Sequence, residues 1–274
     1  MNSPNSHFAC FFLSTGRCGT QWLAVNLQKA FGDRLCVEHE PIHNDYSPWQ
    51  ILGAQDPGGT DNPQRVLAHL DHIERCLESK PYIECGHPCW AAVPYLAKRF
   101  EGRVRVVHLT RHPVPTACSW LTHSAYCPPF LPHQQEKVLL SPFDVGVAFP
   151  QVQPRWEQMN PFDKCLYYWA EVNALGLRLE GEGHVPWLRL KYEDLFDGDG
   201  LEHLMSYLGL PHSPTIVGAR KALVDTHHFV TDAWWDVRAA ERHTPVVEVA
   251  RALGYDLLAV DYRALRRRYW ADGA

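Results

Sequence analysis

The stretch that decides the fold is HFACFFLSTGRCGTQWLAVNLQKAF, residues 7–31 of a 274-residue chain. Its apolar run from His7 to Ser14 predicts a short buried strand. Apolar residues at helical spacing from Thr20 to Phe31 predict a helix that ends at Gly32. The chain is therefore expected to open with a strand, a tight turn and a helix.

The turn between these two elements, residues 14–20 with the sequence STGRCGT, has the composition of an anion site. In such a turn, successive backbone N–H groups and the N-terminus of the helix point to one spot. Gly16 and Gly19 permit a close approach of the backbone, Arg17 brings a fork of donors, and Thr20 adds a hydroxyl. The Walker A pattern is not met because no lysine follows, which disfavours a metal-bound triphosphate. A strand-to-helix turn without a ligand is the alternative.

A second motif follows the run VRVVHLT, residues 104–110, which predicts another strand. Arg111-His112-Pro113 comes next and leads into a helical stretch that contains Ser119. Ligands of open α/β sheets bind beyond the carboxyl ends of the strands, so Arg111 is expected to reach the same crevice as the first turn. The alternative is a capped turn with a solvated guanidinium.

Strands and helices are predicted to alternate along the rest of the chain. Further strands are expected at 35–38, 82–85 and 185–190, and further helices at 91–100, 162–179, 201–208 and 245–253. This succession predicts an α/β fold of three layers with a central, mainly parallel sheet and a strand-loop-helix phosphate-binding turn. We expect a single domain, residues 1–274, with long loop insertions near 41–65 and 126–160, which are typical of binding loops.

The composition excludes some classes of protein but does not identify the function. With 46% hydrophobic and 21% charged residues, the chain is expected to fold. Its formal net charge of -5 disfavours nonspecific electrostatic binding to nucleic acid. The first residues lack the charge and apolar length of a signal or a membrane span, so a cytoplasmic location is expected. Nine scattered cysteines contain no CxxC pair, which predicts reduced thiols and no metal site. The oligomeric state is not readable from the sequence.

Together the two motifs resemble those of the PAPS-dependent sulfotransferases, where PAPS is 3′-phosphoadenosine 5′-phosphosulfate. That family carries a loop of the form S/T-x-G-R-S-G-T after its first strand and an R-x-P-x5-S element later. The loop at 14–20 fits the first pattern with Cys18 in place of the usual Ser, and Arg111 to Ser119 fit the second. LKYEDL at 190–195 and ALGY at 252–255 are similar to two weaker family segments.

The resemblance implies a sulfotransferase that moves a sulfuryl group from PAPS to a hydroxyl or amine, releases PAP and needs no metal. It implies that Arg111 and Ser119 hold the 3′-phosphate. It implies a 5′-phosphosulfate site at Thr15, Gly16, Arg17, Cys18, Gly19, Thr20 and Gln21. Arg17 is further expected to stabilise the charge that grows on the leaving phosphate.

Transfer also needs a base for the acceptor proton, and the segment EHEPIH at 38–43 is the first place to expect it. Glu40 is preferred because several carbohydrate-type members of the family use a Glu-Pro pair there, and His39 is next. Neighbours on a strand point to opposite faces, so both can face the pocket only if the strand ends before them. Glu84 and His87 form a second candidate group at a strand end.

Two alternatives to a sulfotransferase remain open at this point. One is a kinase-like phosphotransferase on the same fold, and the other is a module that binds PAPS or PAP without catalysis. The acceptor, a small molecule or a carbohydrate, is not readable from the residues. The basic run Arg266 to Arg268 is either an addition to the 3′-phosphate site or a solvated face.

Overall fold

The computed structural model describes residues 7–46, 63–128, 139–219, 236 and 238–269. Its contacts divide the chain into two compact units. The first comprises Met1–Thr110 and Gly176–Val224, and the second comprises Arg111–Leu175 and Asp225–Ala274. The single domain expected from the sequence stays a prediction. Much of the two expected insertions, residues 47–62 and 129–138, lies outside the described residues.

The first unit contains a five-stranded sheet in which every pairing is parallel. The strands in chain order are β1 Ala9–Leu13, β2 Cys36–Glu38, β3 Tyr82–Glu84, β4 Val104–Thr110 and β5 Trp187–Lys191. Their spatial order is β2-β3-β1-β4-β5, so β1 lies at the centre and β2 at an edge. The mainly parallel sheet expected from the sequence is confirmed.

Helices cover both faces of this sheet. Those of the first unit are α1 Thr20–Phe31, α2 Pro63–Leu77, α3 Val93–Arg99, α6 Tyr192–Asp197, α7 Gly200–Leu208 and α8 Pro214–Gly218, joined by short 3₁₀ helices at His43–Asp45 and Pro88–Ala92. Cys10 and Phe12 of β1 share a core with α1, α6 and α7. The side chain of Phe11 points to the opposite face of the sheet, where it stacks on Phe100 with ring centroids 6.5 Å apart. Helix, sheet and helix form the three expected layers.

All the regular elements among the described residues of the second unit are helices. It contains α4 Pro113–Leu121, a 3₁₀ helix at Pro150–Gln158, most of α5 Pro161–Glu182, α9 Ala239–Arg242, α10 Thr244–Leu253 and α11 Tyr262–Tyr269. Tyr167, Tyr168 and Trp169 of α5 are each at most 1% exposed and belong to the core. Among the described residues, no helix combines the length and the apolar character that crossing a membrane requires.

Candidate active site

The turn between β1 and α1 has the backbone conformation of an anion cradle. Gly16, Arg17 and Gly19 have φ angles of 72°, 59° and 80°, all in the left-handed region. The Ser14 hydroxyl accepts a hydrogen bond from the N–H of Gly16 at 3.1 Å, which fixes the start of the turn. Left-handed residues in a tight turn can gather successive N–H groups into a concave nest, and the helix N-terminus adds positive potential. The residues present therefore fit a phosphate or sulfate group.

Two adjacent residues of this turn, Cys18 and Gly19, show why its sequence is restricted. The φ angle of 80° at Gly19 strains any other residue, and a Cβ atom there would be tight against α6, 3.3 Å from Cε2 of Tyr192 and 3.5 Å from the ring of Phe196. The thiol of Cys18 is fully buried and donates to the carbonyl of Gly16 at 3.1 Å. Cys18 therefore acts inside the turn, where it bonds the backbone rather than facing solvent.

The candidate base residues lie directly beside this turn. Nε2 of His39 is 3.4 Å from Oγ1 of Thr20, the first residue of α1. The same nitrogen lies 3.7 Å from Oε1 of Glu40, which in turn is 2.7 Å from Nδ1 of His87. The side chains of His39 and Glu40 can both face the turn because β2 ends before them, at Glu38. The structure thus brings together three of the four base candidates and the phosphate-binding turn, all within the first unit.

Glu40 is held in place by its backbone as well as by His87. Its φ angle of 50° is left-handed, and its carbonyl accepts from the N–H of His43 in a tight turn. A Cβ atom at Gly86 would lie 2.9 Å from the backbone nitrogen of Glu40 and 3.0 Å from its Cγ. Gly86, the residue before His87, therefore permits the close approach of the two turns.

Burial and neighbouring charges affect the pKa of Glu40 and the pKa of His39 differently. Burial alone would raise the pKa of Glu40, but His87, through its charge and its hydrogen bond, and then His39 and His43 lower it to about 2. Burial is the main cause that lowers the pKa of His39, and the opposing effect of Glu40 is smaller. At neutral pH the carboxylate is therefore ionised and the His39 imidazole is neutral, which leaves the imidazole able to accept a proton.

Glu84, the fourth base candidate, belongs to a different network. Its carboxylate is buried, and Oε2 lies 3.0 Å from the hydroxyl of Tyr82 and 3.2 Å from Nε2 of His69. The Tyr82 hydroxyl also lies 2.8 Å from Oε2 of Glu38. Glu84 therefore satisfies buried polar groups between β3 and α2.

The second motif lies in the second unit, where α5 and the segment after α10 hold it in place. Trp169 donates its indole N–H to the carbonyl of Arg111 at 2.8 Å. Nδ1 of His112 accepts from the N–H of Val114, so its Nε2 carries the proton that it donates to the carbonyl of Asp256 at 3.0 Å. His112 is thus the N-cap of α4, and the Arg-His-Pro corner has a fixed geometry.

The side chains of the motif are half-buried or buried. Arg111 donates to the hydroxyl of Tyr269 at 3.5 Å, and Ser119 is 4% exposed on α4. Tyr269 ends α11, the helix that carries the run Arg266 to Arg268. Arg266 and Arg267 are exposed, and the guanidinium of Arg268 lies over the Tyr269 ring, 5.3 Å from its centroid. Within the second unit, α11 therefore packs beside the motif and supplies further positive charge.

Two further features concern ligands. Gln21, included in the predicted cofactor site, is an exposed residue of the first turn of α1. Within the described residues, one group of cysteine and histidine side chains has its ligand atoms close enough to hold a metal ion, namely Cys36, His72 and Cys76. The sequence alone does not indicate this group, because Cys36 is far along the chain from His72 and Cys76.

The fold is similar to that of solved sulfotransferases. The sulfotransferase domain from the curacin biosynthetic pathway matches with a TM-score of 0.53 at 14% identity, covering 93% of this chain and 99% of that one. The sulfotransferase domain from the Synechococcus PCC 7002 olefin synthase gives 0.49 at 17% identity, with 93% and 98% covered. A mouse sulfotransferase in complex with PAP gives 0.44 at 13% identity, with 95% and 88% covered. No protein-family model and no curated protein matches the sequence.

Proposed function

Because this chain has the sulfotransferase fold, we propose that it transfers a sulfuryl group from PAPS to a hydroxyl or amine of a small-molecule or carbohydrate acceptor. One observation carries the proposal. A chain of contacts runs from Thr20 to His39, from His39 to Glu40 and from Glu40 to His87, so groups that can accept a proton lie at the edge of a turn suited to an anion. A group that binds phosphosulfate there has a base beside it, which is the arrangement that sulfuryl transfer needs.

Donor binding is divided between the two motifs. The nest of N–H groups at residues 14–20 and the hydroxyl of Thr20 hold the 5′-phosphosulfate, with Arg17 near the bridging oxygen. Arg111 and Ser119 hold the 3′-phosphate, with the cationic end of α11 in support. Two hydrogen bonds support this role. Trp169 holds the backbone carbonyl of Arg111, and the Tyr269 hydroxyl accepts from its guanidinium.

The chemical step is an in-line displacement. The acceptor oxygen or nitrogen forms a bond to sulfur while the bond from sulfur to the bridging oxygen breaks, and PAP leaves with that electron pair. His39 takes the acceptor proton, and the ionised Glu40 stabilises the imidazolium that results. The sequence favours Glu40 as the base, but its lowered pKa makes it the weaker proton acceptor, which supports assigning this role to His39.

Donor identity is tested by thermal shift of the full chain. PAP at 100 µM is expected to raise the Tm, because it binds the native state alone. Magnesium ATP at the same concentration is expected to raise it less. Because Arg111 is assigned to the 3′-phosphate, Arg111→Lys should weaken PAP binding about 10-fold or more. Binding of adenosine 5′-phosphosulfate, which lacks the 3′-phosphate, should be unchanged in this variant. A larger shift with magnesium ATP than with PAP would support the kinase-like alternative.

Catalysis is tested by following PAP release from PAPS with a panel of phenols, primary alcohols, saccharides and amines. Wild-type protein should release PAP with at least one acceptor class, and Arg17→Lys should lower kcat by roughly 10²-fold or more. Stabilisation by PAP without release from any acceptor would instead favour the non-catalytic binding module.

A further inference from the structure

Four metal-ligand side chains meet where the edge strand β2 packs beside α2. Sγ of Cys36 and Sγ of Cys76 are 2.8 Å apart, and the Cys76 sulfur is 3.6 Å from Nε2 of His72. The same nitrogen of His72 is 3.0 Å from Oε1 of Glu38. We call these four residues the Cys36 cluster. Its atoms form a continuous chain of contacts outside the phosphate-binding turn.

The spacing of the four residues explains why they converge. Cys36 and Glu38 are two residues apart on a strand, so their side chains lie on the same face. His72 and Cys76 are four residues apart on α2, so they are neighbours on one face of that helix. Each element thus contributes a pair of ligands, and the packing of α2 beside β2 places one pair against the other.

We propose that the Cys36 cluster is a zinc site in which Cys36, Cys76, His72 and Glu38 bind one Zn²⁺. Two sulfurs, one imidazole nitrogen and one carboxylate oxygen are a ligand set that suits tetrahedral zinc and disfavours magnesium or calcium. Each thiol releases its proton to solvent when it binds the ion.

The ligand atoms of Cys36, His72 and Cys76 all lie within 4.8 Å of one another, and the carboxylate of Glu38, which contacts His72, must turn toward the sulfurs to complete the set. With Zn–S of about 2.3 Å and Zn–N of about 2.0 Å, tetrahedral geometry needs about 3.8 Å between the sulfurs and about 3.5 Å between sulfur and nitrogen. The Cys76 to His72 distance of 3.6 Å already fits. The two sulfurs must move apart by about 1 Å, and Cys36 lies on β2, which is an edge strand among the described residues.

The surroundings also suit a metal. The hydroxyl of Tyr82, 2.8 Å from Oε2 of Glu38, is placed to orient the carboxylate so that Oε1 faces the cluster. The side chains of His72 and Glu38 are 37% and 27% exposed, so an ion can enter from solvent. A bound ion would tie the three-residue strand β2 to α2, directly before His39 and Glu40. The site stands independently of the proposed transferase reaction.

Metal content and spectroscopy test the site directly. The full chain, purified from zinc-supplemented culture with a phosphine reductant and dialysed against metal-free buffer, should contain about one zinc per chain by mass spectrometry. Replacement by Co²⁺ should give the ligand-field bands of a tetrahedral site and a sulfur-to-cobalt charge-transfer band. His72→Ala, at a half-exposed position, should lose at least nine-tenths of the bound zinc.

Three variants complete the test. Cys76→Ser should lose the charge-transfer intensity of one thiolate, while Cys127→Ser, at a buried cysteine of the second unit, should change neither zinc content nor spectrum. Tyr82→Phe should weaken zinc binding about 10- to 100-fold, as loss of an orienting hydrogen bond does. Wild-type chain that holds less than a tenth of a zinc, a Cys36–Cys76 cross-link formed under these reducing conditions, or unchanged binding in His72→Ala would overturn the proposal.

Discussion

Nδ1 of His87 lies 2.7 Å from Oε1 of Glu40, and this contact joins the turn after β3 to the turn after β2. The two strands are neighbours in the sheet, so their carboxyl ends open onto the same edge. His87 therefore holds Glu40 in position and keeps it ionised, and Glu40 in turn lies beside His39. These contacts orient the imidazole of His39 toward the phosphate-binding turn.

The pH dependence of transfer should report the protonation of His39. Burial lowers the pKa of His39 below its ordinary value of 6.5, so the active neutral form persists to mildly acidic pH. We expect kcat/KM to fall on the acid side with an apparent pKa below 6.5. His39→Asn should abolish this limb and lower kcat by roughly 10²- to 10⁴-fold. The measurement is a pH profile of PAP release.

His43→Asn is the matched control for this profile. His43 is exposed and has a φ angle of 47°, a conformation that asparagine tolerates. Its charge contributes to lowering the pKa of His39, so the acid limb should remain and move slightly to higher pH. An acid limb that survives in His39→Asn would exclude His39 as the base.

The stability of the fold should depend on pH through Glu40. Its pKa in the folded state, about 2, lies below the ordinary value of 4.5. The stabilisation is therefore complete above about pH 4.5 and is lost as the pH falls toward 2. Between pH 6 and pH 3, the advantage of wild type over Glu40→Gln in free energy of unfolding should shrink by roughly 2 kcal/mol. Denaturant unfolding at the two pH values measures it.

Glu202→Gln supplies the comparison, because Glu202 is an exposed carboxylate of α7. Its difference from wild type should be nearly the same at both pH values. If Glu40→Gln behaves like Glu202→Gln, the contact between Glu40 and His87 contributes no stability in solution.

The elements that the sequence predicts well are those with an uninterrupted local signal. Helix α1 has the predicted bounds, Thr20–Phe31, and β4 has the predicted bounds, Val104–Thr110, because apolar periodicity and a flanking turn define each of them. The helix expected at 91–100 instead begins as a 3₁₀ helix at Pro88–Ala92 and becomes α-helical at Val93. The prolines at its start, Pro88 and Pro94, supply no N–H to early helical hydrogen bonds.

Features that depend on packing between distant segments were not predictable in the same way. Helix α2 was missed although Val66, Leu70, Ile73 and Leu77 recur at helical spacing. The zinc-type ligands were missed because a C-x-E strand and an H-x3-C helix match no compact motif. His39, Glu40 and His87 were candidates from the sequence, and their roles stay predictions. Their proximity to one another arises from strand order, which the sequence does not state.

Gly86→Ala should impair transfer by displacing Glu40. The added Cβ would lie 2.9 Å from the backbone nitrogen of Glu40, closer than such contacts allow, so the turn must shift. We expect kcat to fall about 10- to 100-fold and the free energy of unfolding to fall by about 1–3 kcal/mol. Gly181→Ala in α5 is the control, because a Cβ there meets no described atom within 4 Å and the helix should gain about 0.5–1 kcal/mol. Equal kcat for both variants would show that the turn tolerates the extra atom.

Gly19→Ala and Gly102→Ala separate backbone strain from loss of the phosphate-binding turn. Both glycines are left-handed, with φ angles of 80° and 74°, so each alanine should cost about 1–2 kcal/mol of stability. At Gly102 the added Cβ has no neighbour within 4 Å in the described part of the chain, whereas at Gly19 it lies 3.3 Å from Tyr192.

PAP affinity, measured by calorimetry, should therefore be unchanged in Gly102→Ala and reduced at least 10-fold in Gly19→Ala. The reason is that only Gly19 lies between the nest of N–H groups and the first residue of α1, Thr20. Conformational strain alone would affect the two variants alike in denaturant unfolding, so the difference in affinity isolates the contribution of the turn. Equal PAP affinity in both variants would place the nucleotide away from residues 14–20 and would remove the basis for assigning the base to His39.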